Sequence, residues 1–301
     1  MKTKLCVWSM TLVMALAMAG CKGNNNNPDN PSNPQNPENP QNLIAGAFSV
    51  SETKHVFFSQ GNLQYNSSTN TWRFAEHQWD AIGRSCESVN TSGGYIDMYG
   101  WGTGNNPLCN DENSYNSYTD FVDWGTNVVS NGGDTQNTWY TLDQEEWQHI
   151  FYSRYNAQML FALGTVNNHC GVIILPDDWK TPDGITFIPS TTNGLAKTWD
   201  GRYFNRDGKH FSDNIYTIQQ WTKMEDKGAI FLPCYQYNDL YTSGGEIVRG
   251  DYWSSSQGSG VDAEYKLGKL LCFTQQGLEI AEGSRANKCF VRLVKNASAE
   301  K

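Results

Sequence analysis

Apolar and polar positions after residue 43 predict many short strands separated by turns. Small apolar or aromatic runs at 56–58, 61–65 and 72–74 are bounded by Gly, Asn and Ser, a pattern typical of strands. Further runs predict strands at 172–175, 185–188, 229–233, 252–255, 265–273 and 289–294. In the last two strands, alternate residues are predicted to share a face. These residues are Leu267, Leu271 and Phe273, and then Cys289, Val291 and Leu293.

Two segments have helical spacing instead. Thr141 and Gln144 resemble a capping box, and Trp147, Ile150 and Phe151 follow on one face. A second helix is predicted over 214–227, with Ile218, Trp221 and Met224 facing inward and Gly228 as its stop signal. Between 83 and 137 no period is sustained, which predicts a long loop region. The pattern predicts an α+β fold with short, mostly antiparallel strands, two helices and long loops.

The first twenty residues form a signal peptide in this interpretation. Lys2 and Lys4 precede an apolar run too short to span a bilayer, and Ala-Gly then leads to Cys21. The ending resembles the lipobox of bacterial lipoproteins, which predicts acylation of the Cys21 thiol. The alternative is an ordinary secretory signal in which Cys21 is incidental. A lipid-anchored protein of the cell envelope is expected, at the outer membrane, with the surface or the periplasmic face left open.

The segment 21–42 is a predicted flexible tether. Proline recurs there at every third position among Asn, Gln and Ser, so the segment has little to bury and favours extended chain. One domain is then expected over 43–296, with a disordered tail at 297–301. The chain carries 22 basic and 31 acidic residues, a net charge of −9. This acidic balance argues against nucleic acid as a partner, and leaves the lipid anchor as the only membrane contact.

Six cysteines lie in the predicted domain. Their even number suits disulfides in an oxidising compartment, and their spacing contains no CxxC. The two pairs that are closest in sequence, Cys86 with Cys109 and Cys272 with Cys289, are the candidate disulfides. The alternative is that some of these cysteines are buried free thiols.

No catalytic residues can be assigned from the sequence. The five histidines are scattered without the HExxH spacing of a zinc site, and neither GxSxG nor a phosphate-binding loop occurs. Trp101, Trp124, Trp179 and Trp253 stand beside Gly or Pro or within strands, which favours core packing. The sequence therefore predicts no catalytic group and no bound cofactor.

Several segments together resemble a group of lipoproteins from Bacteroidales. These are NLQY at 62–65, WRFAE at 72–76, YGWG at 99–102, DWG at 123–125, ILPDDW at 174–179, FLP at 231–233 and YWSS at 252–255. The ending, YWSS followed by FVRLV at 290–294, resembles the Fibrobacter succinogenes major paralogous domain. That domain is similar to the C-type-lectin-like fold, including its formylglycine-generating branch. The resemblance implies a single C-type-lectin-like domain.

The resemblance also bears on function. The formylglycine-generating enzymes use a close cysteine pair near the chain's end, and Cys272 and Cys289 are too far apart in sequence to match it. Lectins of this fold hold calcium with loop oxygens, but the Glu-Pro-Asn and Trp-Asn-Asp signatures are absent here. A partial match to the second signature and a cluster of loop oxygens leave bound calcium as an alternative and give the candidate ligand-binding residues. These are Tyr237, Asn238 and Asp239 in one loop, and Asp111 and Glu112 in another.

The expected function is a non-enzymatic binding or adhesion module tethered at the cell envelope, with a glycan or protein ligand. The alternative is an enzyme, or an enzyme accessory, acting on envelope or host polymers.

Overall fold

The computed structural model describes residues 43–83, 94–109, 120–133, 135–238, 246–259 and 266–297, with only the backbone at 237–238 and 246–247. The predicted signal peptide, the tether, Cys21, Cys86, Asp111, Glu112 and Asp239 all lie outside these ranges.

Nineteen strands occur in the described residues. The first nine are β1 Phe48–Ser49, β2 His55–Phe58, β3 Leu63–Asn66, β4 Thr71–Phe74, β5 Tyr95–Ile96, β6 Met98–Tyr99, β7 Tyr140–Thr141, β8 Phe161–Val166 and β9 His169–Ile174. The next five are β10 Ala196–Lys197, β11 Tyr203–Phe204, β12 Ile215–Tyr216, β13 Ile230–Pro233 and β14 Tyr235–Asn238. The last five are β15 Glu246–Gln257, β16 Leu267–Thr274, β17 Gly277–Ser284, β18 Cys289–Phe290 and β19 Leu293–Asn296.

These strands form four sheets. The central sheet has the order β10-β11-β17-β16-β15-β18-β6, with β14 also paired to β15. The terminal sheet has the order β1-β2-β19-β7, a third has β12-β8-β9-β13, and the smallest has β4-β3-β5. Every pairing is antiparallel except β12 with β8 and β15 with β18. With two α-helices among these strands, the predicted α+β class is confirmed.

The two predicted helices exist but begin later than expected. Helix α1 spans Gln144–Gln148, and its capping box is made by Asp143 and Glu146, so the prediction of Thr141 as the cap is wrong. Thr141 lies in β7 instead. A π-helical turn, His149–Ser153, continues α1 and buries Ile150 and Phe151.

Helix α2 spans Ile218–Glu225, with a capping box between Thr217 and Gln220. Trp221 and Met224 are buried as predicted, whereas Ile218, in the exposed first turn, remains 45% exposed. Gly228 follows with φ of +90°, the left-handed geometry that ends helices and favours glycine.

Two predictions about strands and loops are wrong. Residues 185–188 form no strand, because the Asn214 side chain takes the place of a partner strand. Its amide accepts from the Ile188 N–H at 3.0 Å and donates to the Ile188 carbonyl at 2.8 Å. The region 83–137 is not all loop either, since β5 and β6 lie in it.

The two ends of the domain pair with each other. Strand β2 lies antiparallel to β19, with Val56 opposite Asn296 and Phe58 opposite Val294. The backbone N–H of Ala297 donates to the His55 carbonyl at 2.9 Å, which extends this pairing by one residue beyond β19. Residues 298–301 lie outside the described part.

Large aromatic side chains fill the core. Trp101, Trp124 and Trp253 are buried, as predicted, while Trp179 is only partly buried. The indole N–H of Trp101 donates to the Ser254 carbonyl at 3.0 Å, and that of Trp253 donates to the Tyr99 carbonyl at 2.7 Å. Burial gives the indoles of Trp101 and Trp253 both apolar contact area and a hydrogen-bond acceptor.

A buried polar network crosses this core around Gln78. Its amide oxygen accepts from Arg292 at 2.8 Å and from the Phe231 N–H at 2.7 Å. Its amide nitrogen donates to Glu225 at 2.8 Å and to the Ala229 carbonyl at 3.0 Å. One amide thus bridges a buried guanidinium and a partly buried carboxylate.

Candidate binding surface

A hairpin at the edge of the central sheet presents an unusual set of exposed side chains. Strands β10 and β11 pair with Ala196 opposite Phe204 and Lys197 opposite Tyr203. The loop between them closes on itself, since the Thr198 N–H donates to the Arg202 carbonyl at 2.7 Å. Gly201, with φ of +84°, makes the turn.

Trp199 stands at the tip of this hairpin. Its side chain is 98% exposed, and Phe204, at the base, is 46% exposed. A tryptophan that is buried in a core or an interface removes about 200 Å² from water, so this indole leaves a stabilisation of several kcal/mol unused in the free protein. Aromatic side chains presented in this way are typical of binding surfaces.

Charged groups lie next to the tryptophan on the same loop and on the neighbouring strand β17. The Arg202 guanidinium lies 2.7 Å from the Asp200 carboxylate and 3.6 Å from that of Glu279 on β17. A hydrogen bond from Thr198, followed by one from Arg202, holds the pKa of Asp200 below its usual value. The same carboxylate raises the pKa of Arg202. Asp200 and Arg202 therefore stay charged at neutral pH and can hydrogen-bond a polar ligand.

The base of the hairpin is fixed to the core. Tyr203 stacks on Tyr152, with ring centroids 5.2 Å apart and planes 12° apart, and its hydroxyl donates to the Phe151 carbonyl at 3.3 Å. The Lys197 ammonium lies 5.0 Å from the Tyr152 ring centroid. Since β11 also pairs with β17, the loop is mounted on a rigid base. Lys197, Trp199, Asp200, Arg202 and Phe204 are called the hairpin surface below.

Of the ligand-binding residues predicted from the sequence, the structure describes only the backbones of Tyr237 and Asn238, and these lie outside the β10–β11 hairpin. Tyr237 and Asn238 belong to β14, where they pair with Ile247 and Glu246, so the expectation that they lie in a loop is wrong. Asp239, Asp111 and Glu112 fall outside the described residues, and their predicted role is untested.

A largely buried cluster of polar groups connects β14, β15 and β16. The Tyr235 hydroxyl donates to Asp251 at 2.6 Å, and Arg249 donates to Asp251 at 2.7 Å and to the Cys272 sulfur at 3.1 Å. Burial and then the Asp251 carboxylate raise the pKa of Tyr235. Burial lowers the pKa of Arg249, but the Asp251 carboxylate outweighs it and the net shift is upward. This arrangement keeps Arg249 charged and pairs it with the carboxylate, so it stabilises the hairpin of β14 and β15.

The predicted disulfide between Cys272 and Cys289 does not form, since Cys272 carries a free thiol. Strand β15 lies between β16, which carries Cys272, and β18, which carries Cys289. Two strand spacings of about 4.8 Å separate their backbones, and a disulfide spans at most about 7 Å between Cα atoms. The other predicted pair, Cys86 with Cys109, includes a residue outside the described part.

A cleft lined partly by β2 is the kind of concave site in which catalytic groups usually lie. It has a volume of about 690 Å³, and its polar lining includes Thr53, His55, Asp178, Asp226 and Lys227. The His55 ring lies 3.6 Å from Asp177, whose carboxylate also accepts from the backbone N–H of Ser49 at 2.7 Å and from Arg154 at 3.0 Å. That carboxylate therefore serves to join the terminal sheet to the rest of the domain.

Metal-binding and membrane-spanning features are absent from the part of the chain that the structure describes. No group of three or more His, Cys, Asp or Glu side chains there could hold a metal ion. None of its helices has the length and apolar character needed to cross a bilayer. Comparison with known proteins found no matching family model, no matching curated protein and no matching solved structure.

Trp199 was not among the binding residues predicted from the sequence. Asp200-Gly201 after it is a turn signal, and no other apolar residue lies between Lys197 and Arg202. A tryptophan on a polar turn has no strand or helix face through which to enter a core. That local pattern was the available signal for an exposed ring.

Proposed function

We propose that this chain is a non-enzymatic binding or adhesion module, held at the cell envelope by a lipid on Cys21, that contacts its ligand through the hairpin surface. The observation that carries the proposal is Trp199, a fully exposed indole on a loop closed by hydrogen bonds. The resemblance to C-type-lectin-like lipoproteins and the signal-like N-terminus support it from the sequence.

A glycan is the ligand that this surface fits best. An indole face can stack on the apolar face of a sugar ring, while carboxylate and guanidinium groups hydrogen-bond its hydroxyls. The surface offers both, since Trp199 is flanked by Asp200 and Arg202. No oxygen cluster for calcium is needed in this mode, so binding is expected to survive a chelator.

A glycan array probed with the purified chain, with and without EDTA, tests the proposal. Trp199→Ala is expected to weaken binding to any positive glycan roughly thirtyfold, which corresponds to about 2 kcal/mol for loss of a central aromatic contact. The matched control is Ile218→Ala, which removes an equally apolar but only 45% exposed side chain from α2. Binding that Trp199→Ala leaves unchanged would place the ligand elsewhere.

The anchoring part of the proposal has its own experiment. Cys21→Ala is expected to move the protein from the membrane fraction to the soluble fraction, because acyl chains supply the membrane affinity. Unchanged membrane association of this variant would contradict lipidation at Cys21, and protease treatment of intact cells would show which face the domain occupies.

A further inference from the structure

Cys170 and Cys234 lie opposite each other on neighbouring strands, a pairing that was not predicted from the sequence. Cys170 is the second residue of β9, and Cys234 directly follows β13. The antiparallel register of these strands ends with Gly171 opposite Pro233, and its next step brings Cys170 opposite Cys234. The N–H of Cys234 donates to the Cys170 carbonyl at 2.8 Å, which extends the ladder to this pair.

Facing residues of an antiparallel pair project their side chains to the same face of the sheet. In a hydrogen-bonded pair the Cα atoms are about 5.5 Å apart, which falls within the range that disulfides span. Thr165, opposite Cys170 on β8, marks this face, since its hydroxyl lies 3.9 Å from the Cys170 sulfur. The two thiols are therefore placed to react with each other after a small adjustment.

That adjustment can be made locally. The Cβ atoms of a hydrogen-bonded pair are about 5.5 Å apart, roughly 1.7 Å more than the distance of about 3.8 Å that disulfides prefer. Cys170 follows closely on the two-residue turn of Asn167 and Asn168, and Cys234 lies at the junction between β13 and β14. Neither residue is locked in the middle of a long strand. A bond formed there stores some strain, and strained disulfides are more easily reduced.

Cys272 and Cys289 are less suitably placed for a disulfide. Cys272 accepts a hydrogen bond from Arg249 at 3.1 Å, and β15 separates it from Cys289.

Burial raises the pKa of Cys170 and raises that of Cys234 well above its usual value. Thiolate is therefore scarce at neutral pH, and exchange with an external disulfide is expected to be slow and to accelerate as pH rises.

We propose that Cys170 and Cys234 form a labile disulfide that joins β9 to β13 when the chain meets an oxidised low-molecular-weight or protein disulfide. The partly exposed Cys170 thiolate attacks the external disulfide, forming a mixed disulfide and releasing one thiol. The Cys234 thiolate then attacks the Cys170 sulfur and releases the second thiol. Two cysteine thiols and one external disulfide thus become one internal disulfide and two external thiols.

Tryptic peptides make the test specific. Cleavage after Lys and Arg leaves Cys170 alone in peptide 155–180 and Cys234 alone in peptide 228–249. Cys272 and Cys289 fall in separate peptides, 270–285 and 289–292. The purified full chain is incubated with oxidised glutathione, alkylated, digested and analysed by mass spectrometry. We expect a linked 155–180/228–249 species that dithiothreitol removes, and a melting temperature lower by roughly 5 °C or more after reduction.

Variants separate this bond from its alternatives. Cys170→Ser and Cys234→Ala should each abolish the linked species, while Cys272→Ser should leave it unchanged. Alkylation of both peptides after oxidation, or a link from 228–249 to 270–285, would overturn the proposal. Cells alkylated before lysis test the location separately. A link in the purified chain that is missing in cells would sustain the pairing and count against an oxidising envelope location.

Discussion

Replacing Gln78 by Leu should show how much of the fold depends on the buried network around this residue. Gln78 is fully buried, and its side chain makes four hydrogen bonds, two as acceptor and two as donor. Leucine has a similar volume but no polar atom, so the substitution leaves four buried or partly buried partners without this side chain's hydrogen bonds. These partners are the Arg292 guanidinium, the Phe231 N–H, the Glu225 carboxylate and the Ala229 carbonyl.

The magnitude follows from what each partner loses. A buried polar group without a hydrogen bond costs about 1–3 kcal/mol, and charged groups cost more. Arg292 keeps its bond to the Gln60 carbonyl at 2.9 Å, which limits its loss. At about 1 kcal/mol for each partner, the free energy of unfolding should fall by about 4 kcal/mol. For a domain of this size, that corresponds to a melting temperature lower by roughly 10 °C.

Urea denaturation followed by tryptophan fluorescence measures this change. Gln219→Leu is the matched control, because Gln219 is exposed on α2 and the same substitution there should change stability by less than about 0.5 kcal/mol. If Gln78→Leu lowered the free energy of unfolding by less than about 1 kcal/mol, the network would not be holding the two charges as argued. The pKa of Glu225 gives a second measurement. Burial raises this pKa while the hydrogen bond from Gln78 opposes the rise, so Gln78→Leu should raise it further.

Three further predictions concern single elements. Lys269 lies 2.5 Å from Glu282 and, with other hydrogen bonds, lowers the pKa of that carboxyl to about 2 from its usual 4.5. The ionised Glu282 carboxylate therefore contributes its full stabilisation above pH 4.5 and loses it as pH falls towards 2. Glu282→Gln should make the free energy of unfolding depend less on pH in that window, which acid denaturation measures. Thr217→Ala removes the cap of α2 and should cost about 1 kcal/mol in urea denaturation. Gly250→Ala would drive a methyl group into the Phe273 ring, and its melting curve should show a loss of about 3 kcal/mol.

Local periodicity predicted the parts of the fold that local packing decides. Trp221 and Met224 are buried on one face of α2, and Gly228 ends the segment, because helix spacing and the left-handed conformation are properties of neighbouring residues. The beginning of that helix was predicted too early, since Asn214 is used for bonds to Ile188 across 26 residues. No pattern among neighbouring residues reveals these long-range hydrogen bonds.

Long-range polar contacts explain the other differences. The segment 289–294 was predicted as one strand, but it divides between β18 and β19, which belong to different sheets. Arg292 lies at the division and directs its side chain to Gln60 and Gln78, more than 200 positions away in sequence. Side chains on both sides of this segment are buried, so alternation could not indicate its path.

The edge position of the hairpin surface limits how a ligand can bind there. An exposed sheet edge invites another strand to add to it, unless the edge strand is short or carries charged residues. Strand β10 has only two residues, both exposed, and one of them is Lys197. Strand addition along this edge is therefore disfavoured, and ligand contact should come from side chains beyond the edge, at the tip that Trp199 occupies. A ligand gripped in this way depends on ring stacking and charge rather than on backbone pairing, so raising the salt concentration should weaken its polar contacts while leaving the contribution of the indole in place.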